Sequence, residues 1–210
     1  VQSVEREYAG SWDGPIQFSP DGRYLASRYA VWDVQSGKRL LNLVVTGLTF
    51  TPDSKYLICC SVIIGKQSWI AFYETDSWRV ARRLTLPLGS NLESIAMHPS
   101  GSSMVTLGTI LPPRIVPKPL GYFGMSSELQ IWSPLDADQP AKTFPPFPFY
   151  GGGTELTFSP DGKQLALNAL PTACVYAFEA LLAGDLKGQE LLPQHRLTNM
   201  GYSHDGSLLM

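Results

Sequence analysis

Apolar residues in this chain come in short runs, and most runs are bounded by the same turn. Ile16-Gln17-Phe18 leads into Ser19-Pro20-Asp21-Gly22, and Tyr24-Leu25-Ala26 follows. Three or four residues alternating between apolar and polar fit a strand, whose side chains point to opposite faces in turn. Proline ends the first strand because it has no N–H for a ladder. Asp-Gly turns the chain because glycine takes a positive φ without steric cost. The stretch therefore predicts a strand, a tight turn and a second strand.

The unit recurs. Phe50-Thr51-Pro52-Asp53-Ser54 is a second copy, Met97-His98-Pro99-Ser100-Gly101 a third and more divergent one. Phe158-Ser159-Pro160-Asp161-Gly162 is a fourth, and Tyr202-Ser203-His204-Asp205-Gly206 a fifth. The spacing is 32 residues from Pro20 to Pro52, 47 to Pro99, 61 to Pro160 and 44 to His204. A four-stranded blade takes about 40–45 residues. Two intervals match that length, one is short and one is long. A second signal follows each copy, an aromatic residue and then a polar one. It reads Val31-Trp32-Asp33, Phe72-Tyr73-Glu74, Ile131-Trp132-Ser133 and Ala177-Phe178-Glu179.

These two signals resemble the WD40 repeat over nearly the whole chain. The resemblance implies an all-β β-propeller of four-stranded antiparallel blades. The whole blades fall at about 15–45, 47–88, 92–144 and 154–192, with partial blades at 1–8 and 197–210. Four whole blades plus partial ones read best as a segment of a seven-bladed ring. The full Trp-Asp pair occurs at Trp32-Asp33 alone among the repeat positions, and the Gly-His dipeptide of the family is missing. The two-residue link Arg28-Tyr29 lacks the Asn-Gly type of sequence a hairpin prefers. It reads either as a compact blade or as a place where residues are absent. A short helical turn is expected at Glu179 to Ala183.

Composition narrows the function. The chain has 210 residues, 44% hydrophobic and 16% charged, with a net charge of −2. That is a globular composition without the positive footprint of a nucleic-acid binder. No run reaches the ~20 apolar residues of a membrane helix, and the start does not look like a signal peptide. Cys59 and Cys60 are adjacent, so their side chains point apart, and Cys174 is alone. Three cysteines without framework spacing predict free thiols and a reducing, cytoplasmic setting. Arg79, Arg82 and Arg83 read as the charged edge that keeps an outer strand from pairing further.

Candidate chemistry is sparse. Gly124-Met125-Ser126-Ser127-Glu128 lacks the closing glycine of a nucleophile elbow, and Gly151-Gly152-Gly153-Thr154 lacks the lysine of a phosphate loop. His98, His195 and His204 have no metal spacing, and His98 and His204 read as surface turn residues. Asp21, Asp53, Asp161 and Asp205 recur at one place and read as turn-formers. No cofactor, metal or catalytic residue is expected.

What stands out is positional. Leu111 to Ser127 is a long insertion between second and third strands. Pro145 to Gly153 joins that blade to the next, and the family fold brings such connections to one face. Together they offer Arg114, Lys118, Tyr122, Phe123, Phe147, Phe149 and Tyr150. Aromatics mixed with arginine are typical of interface cores. Folding back to cap the blade ends is the alternative use of these aromatics. The reading is a non-catalytic protein–protein interaction scaffold, a subunit of a multiprotein complex that binds proteins or peptides. The alternative is an accessory or gating propeller of a larger enzyme, such as a peptidase or signalling ATPase. A third reading, a ligand in the central channel, has no distinctive support from Gln17, Thr49 or Glu93.

Overall fold

The repeated turn closes through its own side chains. In the computed structural model, which describes residues 15–61, 68–87, 90–110, 126–145, 147–148, 154–169, 172–190 and 200–209, four copies share one network. The Ser or Thr hydroxyl donates to the Asp carboxylate, at 2.6 Å from Ser19 to Asp21 and 2.7 Å from Thr51 to Asp53, Ser159 to Asp161 and Ser203 to Asp205. The carboxylate then accepts the N–H two residues on, at 3.0 Å from Arg23 and Lys163 and 3.1 Å from Lys55 and Ser207. The same hydroxyl accepts the N–H that starts the next strand, as Tyr24 does to Ser19 at 2.9 Å. In the divergent third copy Ser100 takes the aspartate's place, accepting from the Ser102 N–H at 3.3 Å.

These bonds favour the charged carboxylate. The hydroxyl, first among the causes, holds Asp21, Asp53 and Asp161 below the ordinary carboxylate value and brings Asp205 down to about 2. A carboxyl depressed by folding stabilises the fold above its unfolded value, near 3.9, and loses that contribution as pH falls through its folded value. Stability to urea should therefore fall between about pH 4 and about pH 2. Replacing Asp21, Asp53, Asp161 and Asp205 together by Asn keeps the acceptors and removes the titration. That variant should show a visibly flatter acid limb; an unchanged limb would rule out this origin.

The turns organise four sheets, each antiparallel and paired in sequence order. Blade one is β1 (Ile16–Phe18), β2 (Tyr24–Ser27), β3 (Ala30–Asp33) and β4 (Arg39–Asn42). Blade two is β5 (Gly47–Phe50), β6 (Tyr56–Ser61), β7 (Trp69–Glu74) and β8 (Val80–Thr85). Blade three is β9 (Ser90–Met97), β10 (Met104–Ile110), β11 (Ser126–Trp132) and β12 (Lys142–Thr143), with β13 (Phe147–Pro148) also pairing with β11. Blade four is β14 (Thr154–Phe158), β15 (Gln164–Ala169), β16 (Thr172–Ala177) and β17 (Gln189–Glu190). The single helix of the described residues, α1 (Phe178–Ala183), lies between β16 and β17, close to the expected helical turn. Among the described residues the arrangement is a β-propeller of four blades. The segments 1–14 and 191–199 lie outside the described residues, and with them the reading of 1–8 as a strand. Arg28-Tyr29 closes as a compact hairpin, with the Tyr29 N–H on Ser27 Oγ at 3.2 Å.

Alternation along each strand makes the core. Leu57 and Cys59 face blade one among Tyr24, Ala26, Val31 and Phe50. Ile58 and Cys60 face blade three among Ile95, Met104 and Trp132. Val105, Leu107, Leu129 and Ile131 of blade three meet Leu156, Phe158, Leu165 and Leu167 of blade four. Each fully buried aliphatic side chain stabilises by roughly 1.5–3 kcal/mol. The adjacent cysteines are both buried and unbridged, as their alternation requires.

Three readings change. His98 is not a plain surface turn residue: its half-buried ring lies 5.1 Å from Phe158 and stacks 5.0 Å from Phe178, and its Nε2 is 3.1 Å from the Gly162 carbonyl. Arg82 sits on the outer strand β8 but reaches across to blade three, donating to the Leu135 and Ala137 carbonyls and pairing with Asp138 at 3.0 Å. The aromatic place of blade four is Tyr176, not Phe178. Tyr176 faces Leu165 as Trp32 faces Leu25, and the chain turns helical at Phe178. Phe178, two residues after Tyr176, opens α1 instead of continuing the strand.

The buried indole hydrogen bond of this fold is likewise not at Trp32-Asp33. Trp32 is only partly buried, and Asp33 is an exposed acceptor for the Ser36 N–H at 2.7 Å. Trp132, with no aspartate after it, is fully buried and donates from Nε1 to Thr106 Oγ1 at 3.1 Å.

Candidate functional site

Inner strands β1, β5, β9 and β14 follow one another side by side and line an open cavity of about 690 Å³. Residues from all four blades line it, among them Gln17, Thr49, Glu93, Glu155 and Asn168. The charged residues of the lining are both carboxylates, Glu93 and Glu155. Glu93 accepts a hydrogen bond from Thr109 Oγ1. Glu155 Oε2 accepts the Met200 N–H at 2.6 Å, and burial raises its carboxyl above the ordinary value. Gln17 bridges two blades by accepting the Phe50 N–H at 3.2 Å.

Strand register tells which end of the cavity carries these acids. Counted back from the turn, Glu155 lies three residues before Phe158 in β14 and Glu93 four before Met97 in β9, so the two acids stand at nearly the same level, away from the turn end of the strands. The Asp-Gly turns lie where those strands end. The cavity is thus acidic at the end away from the turns.

Both long connections root at that same acidic end. β10 stops at Ile110 and β11 starts at Ser126, and these two residues pair with each other; Ile110 also pairs with Ser90. The next connection roots beside them, with Pro148 opposite Ser126 and Phe147 opposite Ser127. Of the seven residues expected to bind a partner, Arg114, Lys118, Tyr122, Phe123, Phe149 and Tyr150 lie outside the described residues. Phe147 is placed by its backbone in β13.

The buried Cys59 and Cys60 thiols offer no nucleophile at neutral pH. Burial pushes the Cys59 thiol well up and the Cys60 thiol to about 12, and the thiol form is unreactive. Among the described residues no three His, Cys, Asp or Glu side chains gather as metal ligands, and no helix is long and apolar enough to cross a membrane. Glu155 escaped the sequence reading. Its signal was a carboxylate inside an inner strand, Thr154 to Phe158, that is otherwise a plain alternation.

No family model matches this sequence, and no curated protein matches it. Solved structures do. Hydrazine synthase of Kuenenia stuttgartiensis is similar with a TM-score of 0.71 at 16% identity, covering 95% of this chain and 68% of that one. The Dos1 propeller is similar with a TM-score of 0.55 at 13% identity, covering 90% of this chain and 44% of that one. This chain therefore spans less than half of the Dos1 propeller chain. At such identities the likeness is one of fold, a β-propeller.

Proposed function

We propose that the chain is a non-catalytic interaction propeller of the WD40 type, holding a protein or peptide partner over the acidic end of its open cavity. One observation carries this reading. The roots of 111–127 and 145–153 meet at the cavity end that holds Glu93 and Glu155. A concave site with a few convergent polar groups is the usual form of a binding site. Aromatics and arginine, which the sequences of the two connections contain, are the side chains that most often anchor a partner. Rigid blades underneath keep the ordering cost of binding low. The WD40 assignment draws support from the Trp132–Thr106 bond and from the shared turn network. Free thiols fit a reducing, cytoplasmic setting.

Tyr122→Ala with Phe149→Ala tests it. Partners recovered by affinity capture should bind at least tenfold more weakly, about 1.4 kcal/mol, while the urea midpoint of the protein stays unchanged. An unaltered capture profile would refute the site. The second reading, an accessory propeller within a larger enzyme, draws on the similarity to a hydrazine synthase chain. A catalytic domain encoded beside this segment would favour it.

A further inference from the structure

The two cavity acids come from neighbouring inner strands, β9 and β14. In β9 the ladder slips. Ser94 pairs with Leu107 and Leu92 with Gly108, which leaves Glu93 as the extra residue of a β-bulge. A bulge re-aims a side chain out of the regular alternation, and here the inserted residue is an acid. Glycine is needed opposite it, because a Cβ at Gly108 would lie 2.8 Å from the Asn91 carbonyl oxygen. In β14 Glu155 pairs regularly with Asn168, which also lines the cavity. Among the described residues the lining holds no lysine, arginine or histidine.

Hydroxyls give a second, independent sign. Ser94 stands three residues before Met97, the level of Glu155, and Thr49 one residue before Phe50 on β5. Both line the cavity, Ser94 8% and Thr49 5% exposed. Neither side chain has a hydrogen-bond partner among the described residues, although buried hydroxyls nearly always have one. Thr46 shows the contrast, since its hydroxyl is committed to the Leu92 carbonyl at 2.7 Å. Glu155 accepts the Met200 N–H on Oε2, and its Oε1 has no partner among the described residues. The site offers carboxylates and uncommitted hydroxyls to a ligand rich in donors.

We propose that the partner held at this end of the cavity presents a lysine or arginine side chain, whose charged head is received by Glu93, Glu155 and Ser94. This rests on the partner site argued above and adds the charge of what enters it. Ammonium and guanidinium bring several donors and no acceptor. Their bonds to carboxylates are about twice as strong as bonds between neutral groups. Burial weighs against the ionised form of Glu155, and a cation beside it favours that form again. A metal ion fits less well. One oxygen of each acid already accepts from the protein, Glu155 from Met200 and Glu93 from Thr109. Calcium asks for about six to eight oxygens, and among the described residues no third metal-ligating side chain joins the pair.

Short peptides, randomised except for a central Lys, Arg, Ala or Glu, test the charge by their retention on the purified protein. Sets centred on Lys or Arg should be retained at least about tenfold more than those centred on Ala or Glu, and the preference should shrink at high salt. Glu93→Gln with Glu155→Gln should abolish the preference. Glutamine still accepts from Thr109 and Met200, so the urea midpoint should hold. Ser94→Ala should reduce the preference by a few-fold. Asp76→Asn with Glu179→Gln removes the same charge from exposed places outside the cavity and should leave the preference intact.

Equal retention of the four sets would overturn the proposal. So would a preference lost as fully in the Asp76 and Glu179 variant, or retention that needs added calcium. The Tyr122→Ala, Phe149→Ala variant separates this inference from the partner site itself. Sets retained without preference, and lost in that variant, would leave the partner site standing and remove its cation. A basic preference that survives in that variant would uphold the cation and refute the role of the two connections.

Discussion

Trp132→Ala should destabilise the fold by about 3–5 kcal/mol, the range for deleting a buried aromatic side chain. Trp132 is 0% exposed and fills the junction between blades two and three among Ile58, Ile70 and Met104. Its loss leaves a cavity and strands the buried Thr106 hydroxyl, which now accepts the indole N–H at 3.1 Å. Trp132→Phe keeps most of the packing and loses the hydrogen bond, and should cost about 1–2 kcal/mol. Trp32→Ala, at the complete Trp-Asp pair, should cost less than about 1.5 kcal/mol because that ring is partly solvated. Urea unfolding of the three variants measures the order. A cost at Trp32 equal to that at Trp132 would contradict the packing described.

Gly162→Ala should cost about 2–3 kcal/mol. The left-handed backbone accounts for about 1–2 kcal/mol of this, since φ is +73°. The remainder comes from the neighbouring blade. A Cβ there would sit 2.4 Å from His98 Nε2, so the imidazole must leave its seat against Phe158 and Phe178 and its contact with the Gly162 carbonyl. Gly37→Ala is the control. Its φ is +67° and nothing lies within 4 Å of the added methyl among the described residues, so the backbone cost of about 1 kcal/mol stands alone. Equal costs at the two glycines would mean that His98 does not pin blade four to blade three.

The sequence carried what is local. The Ser/Thr-Pro-Asp-Gly signature names its own hydrogen bonds, since hydroxyl, carboxylate and amide all lie within five residues. The opposite faces of Cys59 and Cys60 follow from strand geometry alone. What stayed hidden joins residues far apart in the chain. His98 is an ordinary turn residue until blade four brings Phe158 and Phe178 to it. Arg82 is an ordinary edge charge until the carbonyls of Leu135 and Ala137 meet it. Tyr176 was masked because Phe178 offers a similar aromatic two residues on, and only strand register separates them. The acidic end of the cavity needs Glu93 and Glu155 from different blades. Neither acid is distinctive within its own strand.

Stacking of blade upon blade is the claim on which cavity and site both depend. The nuclear Overhauser contacts of the His98 ring test it most directly. Its centroid lies 5.1 Å from Phe158 and 5.0 Å from Phe178, side chains of a blade that begins more than fifty residues later. Cross-peaks from the His98 ring protons to both phenyl rings are the expected result. A folded, well-dispersed spectrum with neither cross-peak would show that blade four is not seated on blade three.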